Sequence, residues 1–329
     1  MTKAPTVRTF GFRGLWGQIG RIEDGFRRIG CKVASAGEDF DFIYSNELLQ
    51  DRGAIECKAQ SGKPLIRHIQ DLPAYENTPQ EKTAAELQTY RDVTLAHADR
   101  VTTNTNFVVR QLERYWNYPD AIVVGQPLQF DPDLDGFRDR KRRNLAVIIG
   151  RLDDPLKNAN LAVQALSRLR APPDLAMVWV GKAKRKPRSF FRRFRIEHHR
   201  EIPASALAEL VKHARMVLAP SLFEGLGLPP IEALAAGTPA IVSDIPVKRE
   251  VFADVPMLFH DPHDPADLAR AIQFLLDHEE HGWKMVEAFA PKVEAYRPEA
   301  VAAKILAAYR DVIASRAAGQ TGHSARSGA

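Results

Sequence analysis

The sequence predicts an α/β protein built from two layered domains. Its 329 residues are too many for one ordinary core, and a hydrophobic content of 45% is enough to fill two. Strand-like and helix-like segments alternate through both halves, which is typical of helices packed on sheets. A charged connector, Asp133–Asn144, separates the two series. We therefore predict an N-terminal domain over 1–138, a C-terminal domain over 139–314 whose last helices can cross back, and a disordered tail over 315–329.

Each half contains its own series of elements. In the first half the strand-like segments are VRTFGF, KVASAG, FDFIYS, PLIRHIQD, RVTTNT and AIVVG, and the helical ones are RIEDGFRRIG and Gln80–Ala98. In the second half the strand-like segments are LAVIIGRL, AMVWVG, ARMVLAPS, PAIVSD and MLFHD. Its helical segments are Asn160–Leu169, ALAELVKHA, Pro265–Glu279 and Gly282–Ala318, with breaks expected in the last at Pro291 and Pro298.

The composition indicates a reducing compartment. Cys31 and Cys57 alone cannot form a disulfide framework or a zinc site, so we expect free thiols. No apolar run reaches the roughly 20 residues that span a bilayer. The N-terminal segment MTKAPTVRTFGF also lacks the apolar core of a secretory signal. We therefore expect a cytoplasmic protein.

The net charge of +5 is concentrated in one stretch. Nine Lys or Arg residues and one Glu lie between residues 182 and 200, where Phe190, Phe191 and Phe194 recur at helical spacing. Such a helix can dock on an anionic membrane, here the inner membrane face, or bind a polyanion. The alternative is a connecting helix whose phenylalanines fill the core and whose arginines are solvated.

The most informative segment is PSLFEGLGLPPIEALAAGTP, Pro220–Pro239. Two prolines suit the first turn of a helix, and Gly-Thr-Pro marks its end. We therefore predict a helix from Pro230 to Ala236, with Glu232 in its first turn. The flanking runs are short and rich in Val and Ile, which predicts strand, turn, helix and strand in a parallel sheet.

Glu224 lies in the turn before that helix, next to Gly225 and Gly227, which allow close backbone approach. The amides and dipole at a helix start favour an anion, and a carboxylate can accept hydrogen bonds from hydroxyl groups. Phosphate plus polyol indicates a nucleotide-sugar. The alternative is a capping box of Ser221 and Glu224, but it requires a helix continuing from Ser221, which the glycines and prolines oppose.

A second segment, IIGRLDDPLKNANL, places cations after another apolar strand. Gly150 and Arg151 follow the strand directly, and Lys157 precedes the next helix. Arg can hold a diphosphate in a bidentate fork while Lys adds a mobile charge. Both would stabilise negative charge on a departing phosphate. The alternative is a pair of solvated surface cations.

These motifs resemble those of the family-four retaining glycosyltransferases, which have the GT-B architecture. GRLDDPLKN resembles the family's Gly-Arg and Lys-Asn turn, and PSLFEGLGLPPIEALAAGTPAIVSDIPVKREV resembles its two-glutamate region. LFHDPHDPADLARAI and ADRVTTNTNFVVRQL resemble two further family segments. The resemblance implies an α/β fold of two Rossmann-like domains facing each other across a cleft. It is specific from about Asn144 to Leu275 and loose before that.

The resemblance also implies a reaction and a set of roles. A sugar would pass from a UDP-, GDP- or ADP-sugar to a hydroxyl of a glycan, lipid-linked or other glycoconjugate acceptor, with retention, without a metal and without a further cofactor. Arg151 and Lys157 would bind the diphosphate, Glu224 the sugar hydroxyls and Glu232 the ribose. The implied donor-binding residues are Gly150, Arg151, Lys157, Glu224, Gly225, Leu226 and Glu232, and the implied catalytic residues are Glu224, Arg151, Lys157 and His68.

The N-terminal half departs from the family pattern. The family often has a His-Asp pair at a strand end, whereas PLIRHIQDLP has Gln70 before Asp71. His68 shares a strand face with Gln70 and can still reach a cleft, or it can be an ordinary buried or capping histidine. The loop GLWGQIGR offers Gly17 and Gly20, which with Asp71 are candidates for an acceptor or phosphate loop.

Other residue patterns give weaker evidence for a function. DPDLDG opens like a calcium loop, but its twelfth position is Arg142 rather than Glu. His198 and His199 are adjacent, a poor spacing for one metal on a helix face, so we expect no metal site. The rival functions are a nucleotide-sugar epimerase on the same scaffold and a nucleic-acid-binding or nucleic-acid-glycosylating protein that uses residues 182–200.

Overall fold

A computed structural model describes residues 4–11, 18–46, 52–72, 84–151, 153–169, 175–183 and 195–324. The chain forms two compact units. The first contains the chain up to Pro127 and again from Ala295, and the second is Leu128–Glu294. The sequence had led us to expect the boundary between residues 138 and 139.

The described strands are, in chain order, β1 (Thr6–Phe10), β2 (Lys32–Val33), β3 (Phe42–Ser45), β4 (Leu65–Ile69), β5 (Arg100–Thr103), β6 (Ile122–Val123), β7 (Arg143–Ile149), β8 (Ala176–Val180), β9 (Ile196–His199), β10 (Ala214–Ala219), β11 (Ala240–Ser243) and β12 (Leu258–His260). The α-helices are α1 (Ile19–Arg28), α2 (Arg52–Ser61), α3 (Ala84–His97), α4 (Asn106–Trp116), α5 (Ala159–Leu166), α6 (Ala204–Lys212), α7 (Leu228–Ala235), α8 (Pro246–Val251), α9 (Pro265–Asp277), α10 (Glu279–Phe289) and α11 (Pro298–Ser324).

The first unit is a parallel sheet of six described strands in the order β2-β1-β3-β4-β5-β6. Its central strands are buried on both faces, as expected when helices cover a parallel sheet. The long C-terminal helix α11 packs on α1, where Ala302 and Ile305 join the core around Phe26. The two α/β units confirm the predicted fold class.

The C-terminal helix does not end where the predicted tail begins. We expected disorder from residue 315, because the sequence there is small and polar. Instead α11 continues to Ser324, and the Arg316 guanidinium donates to Asp99 Oδ1 at 2.6 Å. Contact with the first unit therefore holds the helix beyond the point where composition alone would end it. Residues 325–329 lie outside the described residues.

The charged connector packs against the second unit. Arg140 Nη1 donates to the Ala236 carbonyl at 2.6 Å, and Arg142 Nη2 donates to the Gly237 carbonyl at 2.6 Å. Burial lowers the pKa of Arg142 to about 10, so this guanidinium stays charged at neutral pH. The arginines satisfy carbonyls at the end of α7. For this reason the connector belongs within the second unit.

The second unit is a parallel sheet of six described strands in the order β12-β11-β10-β7-β8-β9. The chain runs outward from β7 through β8 to β9, and then crosses to the other side of β7 at β10. Ligands of open α/β sheets bind outside the carboxyl ends of the strands at such a switch point. The turns after β7 and β10 are therefore where a ligand is expected.

Part of the basic stretch can be compared with its prediction. Its last residues form the strand β9 rather than a helix, and the His198 ring bonds the Gly181 carbonyl at 2.7 Å. Residues 184–194, which include the three phenylalanines, lie outside the described residues. The predicted membrane or polyanion contact therefore stays a prediction. In the described part of the chain, no helix combines the length and apolarity needed to cross a bilayer.

His68 is a buried part of the first sheet. Its side chain is 2% exposed, with Nδ1 3.1 Å from Thr102 Oγ1 and Nε2 2.9 Å from Asn104 Oδ1. Asn104 Nδ2 donates to the Gln70 carbonyl, which fixes the amide so that its oxygen faces His68. Burial lowers the pKa of His68 to about 4, although the bond to Asn104 opposes the shift. This position favours the structural role over the predicted catalytic one.

We expect Gly25→Ala to destabilise the first unit. A Cβ at Gly25 would lie 2.0 Å from the Pro298 carbonyl oxygen, so α1 and α11 would have to separate. Overpacking of this kind costs about 1–3 kcal/mol. Gly20→Ala is the control, because it lies in the same helix with open space around its Cβ position and should gain about 0.5–1 kcal/mol. Urea unfolding measures both, and equal effects would contradict the packing.

We expect His68 to make stability depend on pH between about 6.5 and 4. Its pKa in the folded chain lies below the unfolded value, so the unfolded chain binds a proton first and stability falls as the pH drops through this window. The full loss is about 3 kcal/mol. Urea titrations at pH 7 and pH 5 should show a smaller difference for His68→Gln than for wild type or exposed His263→Gln. If His68→Gln lost as much stability between pH 7 and pH 5 as wild type does, His68 would not be the source of the pH dependence.

Candidate functional site

The turn after β7 is fixed to the neighbouring strand. The Gly150 N–H donates to the Val180 carbonyl at 2.9 Å, and Trp179 Nε1 donates to the Gly150 carbonyl at 2.9 Å. A Cβ at Gly181 would lie 1.8 Å from the Gly150 oxygen, so only glycine allows this approach. The exposed Arg151 side chain follows, with Nε 3.7 Å from Asp153 Oδ1. The structure thus presents Arg151 at the carboxyl end of β7, as predicted.

A short 3-10 helix, Pro155–Lys157, then positions Lys157. Asp154 caps its start by accepting from the Leu156 N–H at 3.0 Å. Asn158 ends it in the left-handed conformation, and its Nδ2 donates to the Pro262 carbonyl at 2.8 Å. Both ends of the turn are therefore held by side-chain hydrogen bonds, which fixes where the lysine stem leaves the backbone.

Lys157 forms an ion pair with Glu224. Lys157 Nζ lies 2.7 Å from Glu224 Oε1, and the two side chains are 29% and 12% exposed. The Leu222 N–H donates to the Leu156 carbonyl at 2.8 Å, which joins the turn after β10 to the turn after β7. The two motifs that were separate in the sequence therefore meet in one site.

Glu224 is held as a carboxylate. Burial by itself raises its pKa, but the charges of Lys157 and Lys248 and the hydrogen bonds from Lys157 and Ser221 outweigh burial and place the pKa below its ordinary value. Ser221 Oγ donates to Glu224 Oε1 at 2.8 Å, and no helix begins at Ser221. The pair is therefore not a capping box. Glu224 is an ionised acceptor at neutral pH.

Glu232 lies behind the turn on α7. The helix begins at Leu228 and not at Pro230, so Glu232 is its fifth residue and lies in the second turn, where we had predicted the first. The helix starts earlier because prolines are tolerated throughout a first turn. The side chain is 1% exposed, and Oε1 accepts from the Gln129 N–H at 3.1 Å.

Lys248 is a site residue that the sequence reasoning missed. Its side chain is wholly buried, and Nζ donates to the carbonyls of Leu226 and Gly227 at 3.1 and 3.2 Å. Gly225 and Leu226 are likewise buried, in the same turn as Glu224. The sequence around this lysine, SDIPVKREV, mixes charged and apolar residues and does not indicate which of them are buried.

The remaining predicted residues belong to the first unit. Gly20 is exposed in the first turn of α1, and Gly17 lies outside the described residues. Asp71 is half-buried after β4, and Gln70 Nε2 donates to the Asn46 carbonyl at 3.3 Å. Their role in acceptor or phosphate binding stays a prediction.

Metal ligands do not cluster in the described part of the chain. There, no group of three or more His, Cys, Asp or Glu side chains is arranged to hold a metal ion. Cys31 and Cys57 are unpaired thiols, and burial raises the pKa of both.

Comparison with known sequences identifies the second unit. Residues 132–291 match the family model described as glycosyl transferases group 1. The chain is 28% identical to a D-inositol 3-phosphate glycosyltransferase of Acidothermus cellulolyticus, over 84% of this chain and 68% of that protein. It is 29% identical to an MMP alpha-(1->4)-mannosyltransferase of Mycolicibacterium hassiacum, over 78% of this chain and 61% of that protein.

Comparison with solved structures covers both units. A sucrose-phosphate synthase from Thermosynechococcus elongatus is similar with a TM-score of 0.74 at 16% identity, over 95% of this chain and all of that one. The Anabaena protein HepE, solved in complex with UDP and glucose, has a TM-score of 0.65 at 14% identity, over 95% of this chain and 99% of that one. At these identities the similarity shows the fold. Residues 132–291 thus match the glycosyl transferases group 1 family, and the fold is that of GT-B glycosyltransferases, as the resemblance predicted.

Proposed function

We propose that this chain is a retaining, metal-independent transferase that moves a sugar from a nucleotide-sugar to a hydroxyl of a glycan, lipid-linked or phosphorylated polyol acceptor. The observation that carries the proposal is the Lys157–Glu224 ion pair at the switch point of the second sheet, beside the exposed Arg151. The two named relatives are a D-inositol 3-phosphate glycosyltransferase and an MMP alpha-(1->4)-mannosyltransferase. These relatives favour transfer over epimerisation and over nucleic-acid binding.

The cations would bind and stabilise the diphosphate. Lys157 is partly exposed and on a flexible stem, so Nζ can reach a phosphate oxygen while it stays near Glu224. Arg151 can add a bidentate contact. As the bond to the sugar breaks, negative charge grows on the leaving diphosphate, and fixed positive charges lower the barrier to that step. A diphosphate that is stabilised in this way needs no protonation.

The carboxylates would bind hydroxyl groups. Glu224 is ionised and keeps one oxygen beyond the one shared by Lys157 and Ser221, so it can accept hydrogen bonds from the donor sugar. Glu232, whose Oε1 accepts from the Gln129 N–H, would also accept from the ribose, because a carboxylate can accept several hydrogen bonds. Gly225 and Leu226 would supply backbone amides near the phosphates. Retention of configuration and the choice among UDP-, GDP- and ADP-sugars rest on the family resemblance, and for UDP on the HepE complex.

Substitution of either partner of the ion pair should abolish most transfer. We expect Lys157→Met and Glu224→Gln each to lower kcat/KM by about 100-fold. Lys157→Met removes a positive charge that stabilises the departing diphosphate, and Glu224→Gln removes the carboxylate that pairs with Lys157 and accepts from the sugar hydroxyls. The assay measures nucleoside diphosphate released from UDP-, GDP- and ADP-sugars, with D-inositol 3-phosphate as a trial acceptor. Lys292→Met is the control, since Lys292 pairs with Asp254 elsewhere on the same unit. Near-normal release by both variants, with folding intact, would reject these roles.

Transfer should persist without metal and keep the donor's configuration. We expect EDTA to change the initial rate by less than about twofold, because Arg151 and Lys157 supply the charge that a cation would supply elsewhere. Proton NMR of the newly formed or released sugar should show the donor's anomer. Loss of activity that Mg²⁺ or Mn²⁺ restores would contradict the first expectation, and the opposite anomer would contradict the second.

A further inference from the structure

The ammonium group of Lys248 is fully buried. It lies on α8, its side chain is 0% exposed, and its Nζ bonds the carbonyls of Leu226 and Gly227. A buried ammonium is costly unless hydrogen bonds and opposite charge offset the lost hydration. Here the two carbonyls and the nearby Glu224 provide that compensation. The buried position of Lys248 therefore depends on its hydrogen bonds to the turn after β10.

Gly227 lies in close contact with the Lys248 ammonium group. A Cβ at this position would lie 1.8 Å from Lys248 Nζ, and the backbone φ of 79° is in the left-handed region that favours glycine. Any other residue would have to displace the ammonium. The turn is therefore shaped by the lysine as well as by its own backbone preference.

The carbonyl bonds to Lys248 also orient backbone donors. In a planar trans peptide the carbonyl of one residue and the N–H of the next point in opposite directions. Because the carbonyls of Leu226 and Gly227 face Lys248, the N–H groups of Gly227 and Leu228 must face away from it. Among the described residues, neither N–H donates a hydrogen bond. The next two residues of α7 are prolines and have no N–H to offer.

The surrounding charges favour an anion beside these donors. Lys157 and Lys248 provide two positive charges and Glu224 one negative charge. Burial lowers the pKa of Lys248 to about 8, Glu224 opposes that shift, and the charge of Lys157 adds to it. Lys248 is therefore mostly protonated at neutral pH, and the turn carries a net positive charge.

We propose that Lys248 is a positioning residue of the donor site, which holds the turn after β10 so that the N–H groups of Gly227 and Leu228 can bind the diphosphate of the nucleotide-sugar. The inference rests on the proposed function and deepens it. Lys248 itself touches no substrate, because the turn lies between its ammonium and those N–H groups.

The test compares Lys248→Met with wild type in the full chain. Isothermal titration with UDP, GDP and ADP gives the affinity for the diphosphate, and saturation-transfer NMR with uridine, guanosine and adenosine gives binding of the nucleoside. We expect about tenfold weaker binding of whichever diphosphate the wild type binds, the effect of misplacing one or two donors. Binding of the matching nucleoside should be unchanged. Lys292→Met should bind both like wild type.

A second variant separates orientation from general damage. Lys248→Gln retains N–H donors for the turn, so its diphosphate affinity should lie between those of Lys248→Met and wild type, and it replaces Lys248→Met if that variant does not fold. Diphosphate binding within twofold of wild type, or equal losses for diphosphate and nucleoside, would overturn the inference alone. Failure of the wild type to bind any of the three diphosphates would overturn the proposed function and the inference with it.

Discussion

The ion pair between Lys157 and Glu224 is the contact on which the site depends, because it joins two turns that are far apart in sequence. Those turns meet because β7 and β10 are neighbours in a parallel sheet, so that their carboxyl ends open at the same edge. The strand order reverses between these strands, and open α/β sheets bind ligands outside the carboxyl ends of the strands at such a point. The topology therefore creates the site, and the local capping of each turn sets the positions of its charges.

The charged groups of the site contribute little to the stability of the fold and are better suited to binding an anion. A nearly buried ion pair gains little net free energy, since the Coulomb attraction is offset by the hydration that both groups lose. In this unit a carboxylate is held between two ammonium groups, one partly exposed and one wholly buried. Together these three groups carry a net positive charge. An anion that enters the site would offset that charge, and a diphosphate carries enough negative charge to do so.

Sequence alone predicted the elements that local patterns determine. Apolar runs located the strands other than β9, and Pro291 and Pro298 marked helix boundaries. The glycine and proline pattern around Glu224 placed it in a turn before a helix. The predictions that differ from the structure depend on contacts between residues far apart in sequence. The connector joined the second unit because its arginines bond the end of α7, and α11 extends because Arg316 meets Asp99. Lys248 was missed because burial of a lysine cannot be inferred from its neighbours in sequence.

A crystal structure of the chain with bound UDP, GDP or ADP, whichever binds, tests the central claim most directly. The decisive quantity is the distance from Lys157 Nζ to the nearest phosphate oxygen. We predict a hydrogen-bonded distance, with Arg151 turned towards the same diphosphate and Glu224 still beside the lysine. A nucleotide bound away from the carboxyl ends of β7 and β10, with Lys157 paired to Glu224 and remote from any phosphate, would contradict the account.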